Sequence, residues 1–184
     1  MRTLLDAPEA ARGIARMAQA IADRSGGAWD LVLIGVRRGG IPVMQALAQQ
    51  LERITQRAVQ TGSIDITLYR DDVATALPNP RVGSSDIPHD ITGKRVVLVD
   101  DVAYTRRTTR AALDAILDYG RPRVIEFAVL IDRAGGELPI QPDYCALKVS
   151  DIHSNERIDV VTSASGLCAV VQPMSSPSIP PHYA

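Results

Sequence analysis

Two adjacent carboxylates, Asp100 and Asp101, are the residues whose type and position most directly suggest chemistry. They follow the apolar run 96–99, which is short enough to be a fully buried strand. The polar turn 104–108 comes next and opens into a segment with helical periodicity. Carboxylates accept hydrogen bonds from sugar hydroxyls, and backbone N–H groups at a helix N-terminus bind phosphate. The stretch therefore predicts a ribose phosphate site at the carboxyl end of a strand.

A second turn with phosphate-binding chemistry follows the apolar run 31–36. It reads Arg-Arg-Gly-Gly at residues 37–40 and precedes another segment with helical periodicity. Guanidinium groups bind phosphate oxygens through paired hydrogen bonds, and glycine lets a ligand approach the backbone closely. The simpler alternatives are a capped helix after the carboxylates and a solvated basic turn at 37–40. Two such turns in one small domain favour a ligand with phosphates at both ends.

The elements that must position these turns alternate between strand and helix. Continuous apolar runs predict buried strands, and apolar residues at helical spacing predict amphipathic helices, the last of which is expected to bury Tyr119. The pattern predicts an α/β fold with a mainly parallel twisted sheet flanked by helices. Residues 72–86 lack periodicity, which predicts a mobile lid over the site. The predicted strands are 31–36, 63–69, 95–99, 124–131, 144–149, 158–163 and 167–172, the predicted helices begin at residues 6, 41 and 108, and a turn is predicted at 132–136.

Composition indicates a soluble globular protein. Hydrophobic residues make up 46% and charged residues 22% of the 184, which predicts one domain over 1–172 with a disordered tail at 173–184. The formal net charge of −1 gives no bulk basic excess to attract nucleic acid. Cys145 and Cys168 are expected to be buried apolar residues of a reducing compartment. With no apolar run of membrane length, the sequence predicts a cytoplasmic location without membrane contact.

The stretch from Asp100 to Thr108 resembles the phosphoribosyl-pyrophosphate binding motif of type I phosphoribosyltransferases. Four separate segments resemble, more narrowly, the family of pyrimidine operon regulatory proteins with uracil phosphoribosyltransferase activity. The resemblance runs from about residue 12 to residue 161 and leaves the last twenty or so residues uncovered. The segments are SIDITLYRDD at 63–72, DIPHDITGKRVVLVDDV at 86–102, ALDAILDYGRP at 112–122 and ELPIQPDY at 137–144.

The resemblance implies a reaction, a cofactor and partners. Members of this family transfer phosphoribose from phosphoribosyl pyrophosphate to uracil, which gives UMP and pyrophosphate, with Mg²⁺. Some members also bind the leader RNA of the pyrimidine operon when UMP is present and so cause transcription attenuation. Dimers or larger homo-oligomers are expected. The fold implied is that of type I phosphoribosyltransferases, with a flexible hood loop that would span residues 69–81.

The resemblance also implies a role for individual residues. Asp100 and Asp101 would bind the ribose hydroxyls, and Arg70 in the hood would face the leaving group. Arg37 and Arg38 would meet the pyrophosphate, often at a cis peptide bond, while Mg²⁺ would be held by substrate phosphates without a firm protein ligand. The other substrate-binding residues implied are Val102, Ala103, Tyr104, Thr105, Arg106, Arg107 and Thr108 around the 5-phosphate, and Asp132 and Arg133 near the base.

The chain departs from the family pattern in its phosphate turn. The family has Thr-Gly-Arg-Thr, whereas this chain has Arg106 at the position of the glycine. The arginine would strain the turn, fill the phosphate pocket or point outward, and the first two outcomes would weaken catalysis. The first hypothesis is an active uracil phosphoribosyltransferase. The alternatives are a non-catalytic regulator that binds leader RNA when UMP is present, and transfer to another base; the RNA would contact helix residues such as Arg12, Arg16 and Arg24.

Overall fold

The computed structural model of the chain describes residues 2–24, 30–70 and 84–174. A short 3₁₀ turn at Thr67–Tyr69 follows the third strand. The helices are α1 (Ala7–Arg24), α2 (Gly40–Thr55) and α3 (Arg107–Leu117). The strands are β1 (Arg2–Leu5), β2 (Leu31–Val36), β3 (Gln60–Ile64), β4 (Arg95–Ala103), β5 (Val124–Arg133), β6 (Tyr144–Val149), β7 (Glu156–Ser163) and β8 (Gly166–Pro173).

Five parallel strands form the central sheet in the order β3-β2-β4-β5-β6. All six residues of β2 are buried, because helices cover both faces of the sheet. Leu33 and Val97 face α1 and α2, whereas Val32 and Val96 face α3. The helix–sheet–helix layering confirms the predicted α/β fold.

The first helix begins with a reciprocal cap. The Glu9 backbone N–H donates to Asp6 Oδ1 at 2.8 Å, and the Asp6 backbone N–H donates to Glu9 Oε2 at 2.9 Å. The buried face of α1 then packs on the sheet, and a Cβ at Gly13 would overlap the side chain of Ala146 in β6. The small residue at position 13 therefore sets how closely α1 approaches the sheet.

A second, antiparallel sheet has the order β1-β8-β7. The strands β7 and β8 form an antiparallel hairpin where two strands were predicted, but β1 was not expected, because four residues directly before a helix show too little periodicity. Leu5 of β1 and Leu167 and Ala169 of β8 are buried in the same core as α1. The small sheet thus extends the hydrophobic core beyond the parallel sheet.

Several predicted strand boundaries were wrong, including the starts of β3 at Gln60 and of β7 at Glu156. The strand predicted at 63–69 ends at Ile64, because the backbone N–H of Asp65 donates to Ser85 Oγ and Asp65 Oδ1 accepts the N–H of Thr67, which turns the chain. The strands β4 and β5 continue to Ala103 and Arg133. The last residue of β4, Ala103, is paired with Asp132, so the two carboxylates at 100 and 101 lie within β4, and the start of the predicted turn at 132–136 belongs to β5.

Smaller expectations also failed. Tyr119 is exposed, because α3 already ends at Leu117. Cys145 and Cys168 are only partly buried, and Pro173, placed in the predicted tail, ends β8. Most of the lid predicted at 72–86 and the last ten residues of the tail lie outside the described residues. In the part of the chain that is described, no helix is long and apolar enough to span a membrane.

Candidate active site

A cleft of about 680 Å³ opens at the carboxyl ends of β2 and β4. In open parallel sheets this edge is where ligands bind. The cleft unites the two turns that the sequence singled out, which are more than sixty residues apart in the chain. It is lined by Val36, Arg37, Arg38, Gly39, Asp65, Ile66, Thr67, Arg70, Asp100, Asp101, Val102 and Thr108.

The Arg-Arg-Gly-Gly turn forms one wall of the cleft. The peptide bond between Arg37 and Arg38 is cis. The backbone N–H of Arg37 donates to the Ile64 carbonyl at 2.9 Å, and its Nε donates to Ser63 Oγ at 3.3 Å. Both contacts anchor the turn to β3, while the side chain of Arg38 is exposed at the cleft. The wall therefore offers guanidinium groups to an anionic ligand.

The two glycines of this turn are required by the close approach of β4. A Cβ at Gly39 would overlap the Asp101 carboxylate, and a Cβ at Gly40 would overlap the Val99 carbonyl oxygen. Position 40 has no room for a side chain because the obstacle is backbone, whereas a side chain at position 39 would have to displace the Asp101 carboxylate. The glycines thus bring the basic turn and the carboxylates into one site.

The carboxylates have different surroundings. Asp100 is 5% exposed, and burial, followed by repulsion from Asp101, raises the pKa of Asp100 well above its ordinary value of 3.8. Asp101 is only partly buried, and its Oδ1 accepts the backbone N–H of Val102 at 2.9 Å. Asp100 Oδ1 accepts the N–H of Asp101 at 2.9 Å. Both line the cleft, and the more accessible Asp101 is the better placed acceptor for ligand hydroxyls.

The phosphate turn leads from β4 into α3. Arg106, at the N-cap position of α3, makes no side-chain cap, and Thr105 Oγ1 accepts the N–H of Arg107 only at 3.5 Å. Thr108, in the first turn of the helix, lines the cleft. Uncapped N–H groups at the positive end of a helix dipole, with a hydroxyl beside them, match the requirements of a phosphate group.

Arg106 neither fills the phosphate site nor points into solvent. Its backbone is left-handed, with φ of 73°, and the residue is 4% exposed. Its side chain turns away from the cleft into the protein, where Nη2 is 2.5 Å from Asp132 Oδ1. It lines a second pocket of about 280 Å³ together with Asp132. Of the three outcomes considered from the sequence, a strained turn agrees with this left-handed backbone. The side chain neither fills the phosphate pocket nor points outward, because its partner lies on the neighbouring strand β5.

Other residues implied by the resemblance lie outside the cleft lining. Ala103 is buried, Thr105 is partly buried, and Arg107 is exposed and pairs with Glu137 at 2.7 Å. The Arg133 guanidinium lies 4.0 Å from the ring centre of Tyr104 and donates to the His153 and Glu156 carbonyls, both at 2.8 Å. Arg133 therefore joins the turn to the segment before β7 and lines neither pocket.

The chain is similar to known proteins over most of its length. Residues 1–171 match the model of the phosphoribosyl transferase domain. The chain is 44% identical over 173 residues to the bifunctional protein PyrR of Pelotomaculum thermopropionicum, which covers 88% of this chain and 96% of that protein. It is 51% identical over 148 residues to the bifunctional protein PyrR of Roseiflexus sp., which covers 80% and 81%. The chain belongs to the PyrR family of phosphoribosyltransferases.

A solved phosphoribosyltransferase shares the fold. The hypoxanthine-guanine phosphoribosyltransferase of Bacillus anthracis superposes with a TM-score of 0.71 at 19% identity, covering 92% of this chain and 98% of that one. The expected type I phosphoribosyltransferase architecture is thereby confirmed.

The sequence did not predict some of the residues that line the two pockets of this chain. Asp65 and Thr67 line the cleft because the chain turns there, whereas the alternation at 63–69 suggested an uninterrupted strand. In the second pocket, Gln141 and Lys148 join Asp132. A signal existed for Asp65, since it directly follows a strand in a parallel sheet, but Lys148 lies within β6 and gave none.

The arginines expected to contact RNA lie on α1. Arg12 and Arg16 are exposed one helical turn apart, and Arg16 Nη2 donates to the Ala146 carbonyl at 3.0 Å. Arg24 is 3.2 Å from Glu126 and 3.4 Å from Asp143, so it is paired with two acidic residues of the protein. Two of the three side chains are thus already engaged in contacts with β5, β6 and the residues between them.

Proposed function

We propose that the chain transfers phosphoribose from phosphoribosyl pyrophosphate to uracil, giving UMP and pyrophosphate. The observation that carries the proposal is that one cleft joins an arginine turn, an acidic pair and the uncapped start of α3. Phosphoribosyl pyrophosphate has a pyrophosphate and a 5-phosphate at the two ends of a ribose. Its three chemical parts correspond to the three parts of the cleft. The choice of uracil rests on the resemblance to the PyrR family.

The cleft supports this reaction through its charges. A nitrogen of uracil forms a bond to C1 of the ribose, pyrophosphate leaves with the electrons of the C1–O bond, and the nitrogen releases its proton. Positive charge develops on the sugar, which the accessible Asp101 carboxylate favours, and negative charge develops on pyrophosphate, which Arg37, Arg38 and Arg70 favour. The wall of the cleft thus carries opposite charges where the transition state needs them.

The donors in the cleft are compatible with Mg²⁺ brought by the substrate. Among residues 2–24, 30–70 and 84–174, no group of three or more His, Cys, Asp or Glu could hold a metal ion. Mg²⁺ commonly keeps several waters and binds one or two carboxylates together with substrate phosphates. Asp100 and Asp101 are the carboxylates that would contribute. When bound, Mg²⁺ neutralises charge on the phosphates.

A base-selectivity assay tests the proposal. Purified protein with phosphoribosyl pyrophosphate and Mg²⁺ is incubated with uracil, hypoxanthine, guanine or orotate, and nucleotide and pyrophosphate are quantified. We expect UMP and an equal amount of pyrophosphate with uracil, and little product with the other bases. If product formed only with another base, that base and not uracil would be the substrate. Absence of any product from folded protein would contradict catalysis.

We also propose a regulatory function, binding of pyrimidine operon leader RNA in the presence of UMP. The observation that favours it is the exposure of Arg12 and Arg16 one turn apart on α1. Binding to the RNA, measured by filter retention with and without UMP, should strengthen with UMP and weaken steeply with salt, because counterions are released. An Arg12→Gln variant should bind RNA more weakly and have a shallower salt dependence. Weak binding that ignores both salt and UMP would exclude this function.

A further inference from the structure

Arg106 makes three hydrogen bonds that tie the phosphate turn to the rest of the protein. Its Nη1 donates to the Tyr104 carbonyl at 2.9 Å, within the turn itself. Its Nε donates to the Ile140 carbonyl at 3.1 Å, and its Nη2 reaches Asp132 Oδ1 at 2.5 Å. One buried side chain therefore joins the turn, the end of β5 and the segment that leads to β6.

We propose that Arg106 is a positioning residue that holds the phosphate turn in its binding conformation through its buried ion pair with Asp132. This inference rests on the proposed phosphoribosyl pyrophosphate site and deepens it. The arginine at the position of the family glycine is then a working part of the site. A glycine at this position would have conformational freedom of the backbone, whereas Arg106 is connected to β5 by its ion pair with Asp132.

The backbone geometry supports this role. A left-handed conformation is unfavourable for a residue with a side chain, and the three hydrogen bonds of the Arg106 side chain help to stabilise its φ of 73°. Ala103, the last residue before the turn, is paired with Asp132. The ion pair therefore connects the turn to β5, the strand that is paired with the end of β4 from which the turn begins. The turn is thus attached to the sheet both through β4 and through the Arg106–Asp132 ion pair, which restricts its movement.

The side chain also leaves the phosphate site open. Arg106 lines the pocket beside Asp132, whereas Thr108 lines the large cleft. The turn thus has a face toward the cleft that offers N–H and hydroxyl groups, and a face toward the protein that holds the arginine. Bulk at this position does not compete with the ligand.

The charge of Asp132 makes the pair necessary. The carboxylate is 7% exposed, and Arg106 is the cation at hydrogen-bond distance from it. Removing Arg106 would leave a buried carboxylate next to the phosphate turn, without its ion-pair partner. Its negative charge would repel an incoming phosphate as well as destabilise the turn. The loss of Arg106 should therefore outweigh the relief of backbone strain.

Four variants distinguish whether Arg106 positions the phosphate turn or instead weakens ligand binding. We would compare wild type with Arg106→Gly, Asp132→Asn, the double variant and Arg106→Lys by calorimetry with phosphoribosyl pyrophosphate and with ribose 5-phosphate. Each of Arg106→Gly and Asp132→Asn should bind both ligands about tenfold more weakly, as for a displaced positioning group. The double variant should bind both ligands no more weakly than either single variant, because each single variant already removes the same connection. The Lys variant keeps a cation for Asp132 and should fall between wild type and the Gly variant.

Kinetics and a matched control complete the test. In Arg106→Gly, KM for phosphoribosyl pyrophosphate should rise about tenfold while kcat changes by no more than about threefold, since the loss is in binding. Glu137→Gln removes an exposed acid beside the same turn, paired with Arg107 at 2.7 Å, and should leave both constants within about twofold.

The results distinguish the two proposals. Equal or tighter ligand binding by Arg106→Gly, or losses of the two single variants that add up in the double variant, would overturn the role of Arg106. Binding without UMP formation would contradict only the uracil reaction, and the affinities of the variants would still decide on Arg106. Failure of the wild type to bind either ligand would contradict both.

Discussion

Asp100 and Asp101 are neighbours in sequence, but only Asp101 keeps substantial access to the cleft. An acceptor for ribose hydroxyls must be reachable from the cleft, and the partly buried Asp101 satisfies this condition better than Asp100. We predict that Asp101→Asn lowers kcat/KM for phosphoribosyl pyrophosphate about 100-fold, because a transition-state contact is lost. A steady-state assay measures this. Asp23→Asn, on the exposed side of α1, should leave kcat/KM unchanged, and an equal loss in both would refute a specific role.

The burial of Asp100 predicts how the stability of the folded protein depends on pH. Its pKa is raised in the folded protein by burial and then by Asp101, so the folded state binds a proton more tightly than the unfolded state. Stability should therefore fall as pH rises from the ordinary carboxyl pKa of 3.8 through the raised one. Asp100→Asn removes this penalty. Thermal unfolding should show a higher Tm than wild type at neutral pH, with the difference shrinking towards pH 4; a constant difference would contradict the argument.

The environment of single residues was the part of the site least accessible from sequence. The residue types at 100–108 indicated a ribose phosphate site, and their order along the chain was sufficient for that. The direction of the Arg106 side chain depends on Asp132 and Ile140, which are 26 and 34 residues away. No local pattern carries that information. The same is true of the difference in burial between the two carboxylates.

At the scale of elements, the glycine turn between β2 and α2 depends on its distance from β4. A Cβ at Gly40 would meet backbone, the Val99 carbonyl and the Asp100 Cα, which cannot easily shift. We predict that Gly40→Ala lowers the free energy of unfolding by about 1–3 kcal/mol, as overpacking does. Chemical denaturation measures the loss. Gly136→Ala is the control, because its nearest contact would be at an ordinary 3.6 Å, and a similar loss there would argue against the packing explanation.

Gly39 should behave differently from Gly40. A Cβ at Gly39 would meet the Asp101 carboxylate, which is a side chain that can rotate away. We predict that Gly39→Ala changes stability less than Gly40→Ala but raises KM for phosphoribosyl pyrophosphate about tenfold, because the carboxylate is displaced. Kinetics and denaturation on both variants test the contrast. Identical profiles for the two variants would show that the turn responds as one unit.

Two strands have the predicted bounds. The strand β2 is a fully buried apolar run, whereas β6 is mostly only partly buried and contains Lys148. The strand predicted at 63–69 was too long because the sequence alternates through residue 69. The hydrogen bond from the Thr67 N–H to Asp65 Oδ1, which turns the chain, leaves no trace in that alternation. The extensions of β4 and β5 past their apolar runs arise from mutual pairing, as in Val102 with Ile131. Pairing partners cannot be identified from one strand alone.

For the whole molecule, the sheet has a ligand end and a structural end. The cleft lies at the carboxyl ends of the strands, whereas Arg95, the first residue of β4, is about 17 Å from Asp100 at the rise of a strand. Arg95 Nε donates to Glu126 Oε2 at 2.7 Å, its Nη2 donates to the Tyr144 hydroxyl at 2.9 Å, and its Nη1 donates to the Ile21 carbonyl at 3.0 Å. This network fastens α1 to the sheet far from the cleft.

The separation of the two ends predicts that stability can be lost without loss of binding. Glu126 is 4% exposed and pairs with Arg95 and, at 3.2 Å, with Arg24. Glu126→Gln would leave the buried Arg95 without its counter-charge, which should cost about 3–5 kcal/mol of unfolding free energy. Calorimetric affinity for phosphoribosyl pyrophosphate should stay within about twofold of wild type, since the variant alters no group in the cleft. Asp30→Asn, which breaks the more exposed pair with Arg123, should cost no more than about 1 kcal/mol. A large loss of affinity in Glu126→Gln would mean that the structural end controls the cleft through the sheet.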